Sequence, residues 1–372
     1  MELIYSGFDT LTYAIKGAAE AYSLERMKLA QEKAKQEQRD MPISFTKGQL
    51  KGLITPTGMK GGYAYILKFG GDIGHVISLK KSHNRENWNA HVKIRALALA
   101  VHGWEEAMMH VQTNLIHIGF GGTQISLNRI DYAMDFLNLG IEPDPKHFVA
   151  HSRVKKSAYK LEIDANLQGQ TFKGVTVGKM PNRQIIFYDK RAEAIEKRKP
   201  AWFEIWGLDP RDVTQAVHRI EIRLGKTALS KWDIRTLADM KTRLNAAMTR
   251  ATQVVRYLQD TPNDKNISRW PNHPLWDHVQ QHVHAHVLSN NNKVDIARVK
   301  HVIKEQKAQE RRKLVIGNMG GLSVFEDMNP DTIKADMLEF IETQFRQIEA
   351  DPEHPFWKSR VKTQDRFVFL GE

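Results

Sequence analysis

The 372-residue chain is 41% hydrophobic and 26% charged, a globular composition with length enough for two domains. It has no cysteine, which excludes disulfides and thiolate metal sites. Its formal net charge of +12 favours a polyanionic partner, because each phosphate contact releases counterions; a basic protein with solvated lysines is the plain alternative.

The opening "MELIYSGFDT" has an early acid and no basic region, unlike a secretory signal. The sequence holds no run of 18 apolar residues, so no membrane contact is expected and a bacterial cytoplasmic protein is. Residues 2–16, "ELIYSGFDTLTYAIK", read as a strand. Residues 18–38, free of Pro and Gly, read as an amphipathic helix. "GYAYILKFGG" and "HVISLKK" follow as strands, with "MKGGYAY" a hairpin turn. Residues 88–112 read as a helix broken by Gly103. "NLIHIGFGG" and "QISLNRIDYAMDF" read as strands, the glycines of "GFGGTQ" making a tight turn rather than a phosphate loop.

A looser stretch, "IEPDPKHF", precedes the strand-like "SAYKLEID" and "GVTVGK". Arg153, Lys155 and Lys156 read as a solvated or phosphate-facing loop. "RQIIFYDK" and "AVHRIEIRLG" are the last strands. Asp189 suits the N-cap of an Ala- and Glu-rich helix after Tyr188. Beyond Gly225 the pattern turns helical: "DIRTLADMKTRLNAAMTRATQVVRYLQD" first, then 274–288, 293–313 and 330–349. "NHP", "NNN" and "GNMGG" stand between them as turns. The expected class is α+β. A catalytic domain over 1–225, with a mainly antiparallel sheet packed on helices, precedes a mostly helical DNA-binding or oligomerisation region over 226–372.

Alternate strand residues share a face. One face collects Arg129, Asp131, Ala133 and Asp135; another Arg219, Glu221 and Arg223; a third Gln184, Ile186, Tyr188 and Lys190. The other faces are apolar: Ile130, Tyr132, Met134 and Phe136; Ile220, Ile222 and Leu224; Ile185 and Phe187. A sheet with one solvated face gives such alternation by itself. The residue types add more. Asp131, Glu221 and Asp135 offer hard oxygen ligands that suit Mg²⁺ or Mn²⁺. Arg129, Lys179, Arg183 and Arg223 suit phosphate contacts on DNA. Tyr188 is a candidate nucleophile, and Lys190 and Arg219 would supply charge favouring its phenolate, since a free phenol titrates near ~10.

"RIDYAMDF", "GVTVGK", "IIFYDKRAEA" and "VHRIEIRL", in this order, resemble the motifs of the Rep_trans replication-initiation family. That family includes rolling-circle initiators of plasmids and phages and relaxases of integrative conjugative elements. The resemblance covers roughly residues 5–225. It implies that Tyr188 is the nicking tyrosine, which becomes joined to the 5′-phosphate of the cut strand, and that Asp131 and Glu221 lie near the metal. Asp135, Arg129, Lys190 and Arg219 match further motif positions. The family's Gly-Ser-Arg-like stretch is here "VGKMPNR", which leaves Lys179 and Arg183 as departures. Implied partners are a duplex origin, its single strand and a host helicase, and a homodimer is a further possibility.

Two other readings stay open. "HVQQHVHAHV" carries His-hydrophobe-His pairs, so His282 and His284 could hold the metal of another nicking class; on a helix, His278, His282 and His286 would instead form a stripe. A non-catalytic basic DNA-binding protein is the other. Trp202, Trp206, Trp270 and Trp276 suit core packing better than base stacking.

Overall fold

The computed structural model describes residues 1–150, 166–168, 171–261, 264–289 and 294–367. The chain divides into two compact units, Met1–Asp295 and Ile296–Glu372. The compositional change at Gly225 marks the end of the last long strand. In chain order the first unit holds β1 (Glu2–Lys16), β2 (Ala18–Ala19), α1 (Ala21–Gln36), β3 (Met41–Phe45), β4 (Leu50–Ile54), β5 (Tyr63–Phe69), β6 (His75–Lys80) and β7 (Trp88–Ile94). Then come α2 (Ala96–Ile118), β8 (Phe120–Gly121), β9 (Ile125–Leu137), β10 (Phe148–Ala150), β11 (Asn166–Gln168), β12 (Thr171–Lys179) and β13 (Arg183–Asp189). The unit closes with α3 (Lys190–Glu196), α4 (Ala201–Trp206), β14 (Val217–Gly225), α5 (Lys226–Lys231), α6 (Leu237–Val254), β15 (Val255–Tyr257) and α7 (Pro274–Ala285). The second unit is α8 (Ile296–Phe325), α9 (Ile333–Ala350) and α10 (Pro355–Arg366).

The fold is α+β. Eleven strands form one antiparallel sheet in the order β11-β12-β13-β14-β9-β1-β7-β6-β5-β4-β3. The long β1 and β9 lie side by side near its middle. The apolar face that alternation predicts is real: Ile130, Tyr132, Met134 and Phe136 are fully buried, as are Ile220 and Ile222. Phe8 packs on Trp104 of α2 there, with ring centroids 6.4 Å apart. Tyr132 and Phe136 meet His282 and His278 of α7. Trp276 is buried and donates its Nε1 proton to the Thr252 carbonyl at 2.9 Å, tying α7 to α6. Each such fully buried large side chain contributes about 1.5–3 kcal/mol.

Several elements differ from expectation. Trp88–Ile94 is a strand, not a helix, because buried Ala90, Val92 and Ile94 keep a period of two. The helix begins at Ala96 and absorbs "NLIHI", where buried Val111, Leu115 and Ile118 recur at helical spacing. Gly103 does break it, at φ 72 and ψ 170. "GNMGG" is not a turn but lies within α8; a Cβ at Gly317, Gly320 or Gly321 would meet nothing within 4 Å, so the helix runs on exposed. A further helix, α10, opens on Pro355 with the His354 ring accepting the Phe356 N–H. "SAYKLEID", Arg153, Lys155, Lys156 and "NNN" lie outside the described residues. Among those described, no helix is long and apolar enough to cross a membrane.

The α7 histidines have a packing role. The Tyr132 hydroxyl and His282 Nε2 are hydrogen bonded at 3.0 Å. Burial, with His286 and His278 adding, draws the His282 pKa down from 6.5 to about 4. The unfolded chain therefore binds this proton more tightly than the folded one. Stability should fall as pH drops from about 6.5 towards 4, and His282→Gln, which keeps a hydrogen bond without titrating, should flatten that part of a urea-denaturation profile.

Candidate active site

Cross-strand partners share a face, so the pairing register brings the site residues together. Across β13, β14, β9 and β1 one row reads Tyr188, Arg219, Asp135, Tyr5. Two residues along, the next reads Ile186, Glu221, Ala133, Gly7. The third reads Gln184, Arg223, Asp131, Thr10. Small Ala133 and Gly7 leave the middle row low, and carboxylates occupy the space above them.

One of those carboxylates belongs to Asp9, which follows Tyr5 and Gly7 at strand spacing in β1. The β1–β9 register shifts between Phe8 and Thr10, so Asp9 is the extra residue of a bulge. A bulge re-aims its side chain. The Asp9 Oδ1 accepts from Arg219 Nη1 at 2.6 Å. The carboxylates of Asp9, Asp131 and Glu221 lie within 4.8 Å of one another, a group able to hold a cation.

The polar face is not a solvated one. Asp131, Asp135 and Arg219 are fully buried and Glu221 nearly so. Arg219 donates Nε and Nη2 to the two oxygens of Asp135 at 2.6 and 2.7 Å, and its guanidinium lies 4.3 Å from the Trp202 ring centroid. Trp206 Nε1 adds a third donor to Asp135 at 2.8 Å. Asp135 is thus engaged by Arg219 and Trp206 and stands outside the three-carboxylate group.

Arg129 Nε donates to both oxygens of Asp131 at 2.8 and 2.9 Å, and Arg223 Nε donates to Glu221 at 2.7 Å. Burial nevertheless raises the Asp131 pKa from 3.8 to about 7, with Glu221 adding to it against Arg129 and Arg223. The cost of burying the charge outweighs what the arginines relieve.

Tyr188 is half-buried at the end of β13. Burial pushes its phenol pKa well up; Arg219 opposes this, and Glu221, Asp9 and Glu193 reinforce it. Its partner on the β12 side is Gly174, where a Cβ would come within 2.7 Å of the Tyr188 Cβ. Only glycine fits beside the tyrosine without a shift. Asp189 then caps α3, accepting the Ala192 N–H at 2.8 Å, as its place in the sequence predicts.

Lys190 reaches Tyr188 through the first turn of α3, not through a continued strand period. Its Nζ lies 5.9 Å from the Tyr188 ring centroid and 4.8 Å from that of Trp202, and pairs with Glu193 at 2.6 Å. Burial and nearby Arg219 lower its pKa to about 8, against Glu193 and Asp9. Burial alone would raise Glu193, but Lys190 and Lys199 hold it at about 2.

Lys179 and Arg183 pair at the end of the β12–β13 hairpin. Arg183 has the strand parity of Ile185 and Phe187, so the register does not bring this pair to the Tyr188 face. His282 and His278 meet Tyr132 and Phe136 on the opposite face, with His286 against His282, so the sheet separates them from Tyr188. His284 sits on the helix, not on a strand. Trp202, Trp206 and Trp276 are buried, as packing residues should be. Sequence reasoning missed Asp9, Trp206 as a partner of Asp135, and Gly174. An acid inside the strand "SGFDTLTY", at the spacing of Tyr5 and Gly7, is the available sign of the first.

No protein-family model and no curated protein matches the sequence. Among solved structures the chain is similar to a rolling circle replication initiator protein from Geobacillus stearothermophilus. The identity is 14% and the TM-score 0.41, over 77% of this chain and 98% of that one.

The Arg219–Asp135 pair can be tested directly. Asp135→Leu alone leaves a buried guanidinium short of a partner and should cost about 3–5 kcal/mol in urea denaturation. The double variant Asp135→Leu, Arg219→Met should lose less than Asp135→Leu alone, since a buried pair replaced by apolar groups is often near neutral.

Proposed function

We propose that the chain is a DNA nicking and strand-transfer enzyme of the rolling-circle initiator or relaxase type. The observation that carries this reading is the convergence, on one sheet face, of Tyr188, Arg219 and the carboxylates of Asp9, Asp131 and Glu221. A tyrosine, a compact oxygen-ligand group and flanking arginines are the parts that phosphodiester transfer to a phenol requires.

The donor set tests well against a hard divalent cation. It is all carboxylate, which suits Mg²⁺ or Mn²⁺ over softer ions. Burial raises the Asp131 pKa, with Glu221 adding to it, and a cation in contact would favour the ionised carboxylate. Asp9, Asp131 and Glu221 would hold the ion, while Asp135 acts behind them by fixing Arg219. A divalent ion there would polarise the scissile phosphate and orient it.

In this reading the Tyr188 Oη attacks phosphorus. The new bond is a phosphotyrosine on the 5′ side; the bond that breaks is P–O3′, and the released 3′ oxygen takes up a proton. The phenol must shed its own proton as it attacks, because its surroundings hold that proton tightly. Lys190, drawn down to about 8, is suited to accept it, and Arg219 in the next strand favours the phenolate. Arg129 and Arg223, at the open edge of the carboxylate group, are placed to meet phosphate oxygens. The covalent link conserves the bond, so the strand can be rejoined. Duplex-origin recognition, helicase recruitment and dimer contacts fall to the helical part after Gly225, in the bacterial cytoplasm, with the +12 charge favouring DNA.

The test is a denaturing gel of the protein with Mn²⁺ and single-stranded DNA from its own replicon or mobile element. A covalent protein–DNA band is expected, and Tyr188→Phe should abolish it; a band persisting in that variant removes Tyr188 as nucleophile. Asp9→Asn and Glu221→Gln should each slow band formation by about two to three orders of magnitude, in line with losing a major electrostatic element of a site. Unchanged rates in both would remove the carboxylate group from the chemistry.

A further inference from the structure

Away from that face, α2 presents a second group of metal-ligating side chains: His102, Glu106 and His110. On a straight helix the first and last of these would be separated by about 12 Å along the axis. Here their ring centroids are 4.6 Å apart. The break at Gly103 helps explain this, because its φ of 72 and ψ of 170 interrupt the helix directly after His102. A conformation open chiefly to glycine thus sits inside the cluster.

Both imidazoles converge on one carboxylate oxygen. His102 Nδ1 lies 3.1 Å from Glu106 Oε1, and His110 Nε2 lies 3.7 Å from the same atom. All three ligand atoms fall within 4.8 Å of one another. Around a tetrahedral ion with metal–nitrogen bonds of 2.0–2.1 Å, ligand atoms stand about 3.4 Å apart, so small side-chain adjustments suffice. An ordinary helix ion pair needs one partner for the glutamate, not two converging on one oxygen.

We propose that His102, Glu106 and His110 form a transition-metal site, of the Zn²⁺ class, that clamps α2 across its break. Two imidazoles and one carboxylate favour Zn²⁺ and its first-row neighbours over Mg²⁺, which wants oxygen ligands. His102 is largely covered, with 13% of its side chain exposed, whereas Glu106 and His110 are about half exposed. The ion therefore reaches the site from solvent and keeps a position open to water. The site is independent of the acidic group under Tyr188 in both place and ligand type.

The experiment is a Zn²⁺ titration of the full chain against a chromophoric chelator in millimolar Mg²⁺, with Co²⁺ absorption as a second readout. The wild-type protein should bind Zn²⁺ at micromolar concentration or tighter and show the visible bands of low-coordinate Co²⁺. His102→Ala with His110→Ala should lose one equivalent of Zn²⁺ and those bands, and Glu106→Gln should weaken that equivalent by at least about tenfold. Asp131→Asn with Glu221→Gln should retain it, and so should His278→Ala with His286→Ala. Circular dichroism would confirm that the α2 variants stay folded, and His110→Ala alone, at a half-exposed side chain, should weaken the same equivalent without touching the covered His102. Equal Zn²⁺ stoichiometry in the wild type and the His102, His110 double variant would overturn the proposal, as would a wild-type chain that binds no Zn²⁺.

Discussion

Arg219 is the buried cation around which the candidate site is ordered. It is fully enclosed, and a guanidinium in that position must have its charge and its donors satisfied within the protein. Asp135 answers two donors in a bidentate pair, Asp9 answers a third, and the Trp202 ring covers the guanidinium. Each partner comes from a different element: β9, the bulge of β1, and α4. Arg219 therefore fixes the sheet face and the helix covering it relative to each other, and it places Asp9 next to Asp131 and Glu221. Tyr188, its neighbour in the next strand, inherits that order.

The same constraint explains an imbalance. Four carboxylates (Asp9, Asp131, Asp135 and Glu221) share this face with Arg129, Arg219 and Arg223. Arg219 is drawn mainly towards Asp135, which leaves the other three carboxylates with arginines at their edge and each other at their centre. Burial, with Glu221 adding to it, raises the Asp131 pKa to about 7 despite Arg129 and Arg223. Replacing those residues with apolar ones would ease the strain on folding, so a stability role accounts poorly for them. A cation bound in the centre and a polyanion lying across the edge arginines would each complete the charge balance.

Much of this was legible in the sequence because β9, β13 and β14 keep an unbroken period of two. Asp131, Glu221, Tyr188 and Arg219 on one face, and Ile130, Tyr132, Ile220 and Phe187 on the other, follow from that period. Parity cannot tell distance, however. Asp135 shares the face of Asp131 yet sits two rows away, beside Trp206, and only the cross-strand register separates their roles. Parity also cannot tell burial: the face that looks solvated is roofed in part by Trp202 and Trp206, which come from a short helix with no strong pattern of its own. "WNAHVKI" is hard to tell from helix because an apolar helical stretch follows it after a single residue, without a turn signal.

The residues that sequence periodicity places least well are those at breaks in the period. Asp9 stands at a bulge, where an extra residue reverses the alternation of β1. Lys190 stands one residue past the Asp189 cap, where strand becomes helix and the next side chain turns back towards Tyr188. Asp9 keeps the parity of Tyr5 and Gly7, and the bulge reverses that parity just after it, so that Thr10 opposite Asp131 joins the same face. Irregularities of this kind cost backbone pairing, and a fold retains them where they aim a side chain that the regular lattice cannot. Both breaks here aim charge at the same phenol and the same carboxylate group. Each charge is then held there by a partner rather than by strand parity alone, Asp9 by Arg219 and Lys190 by Glu193.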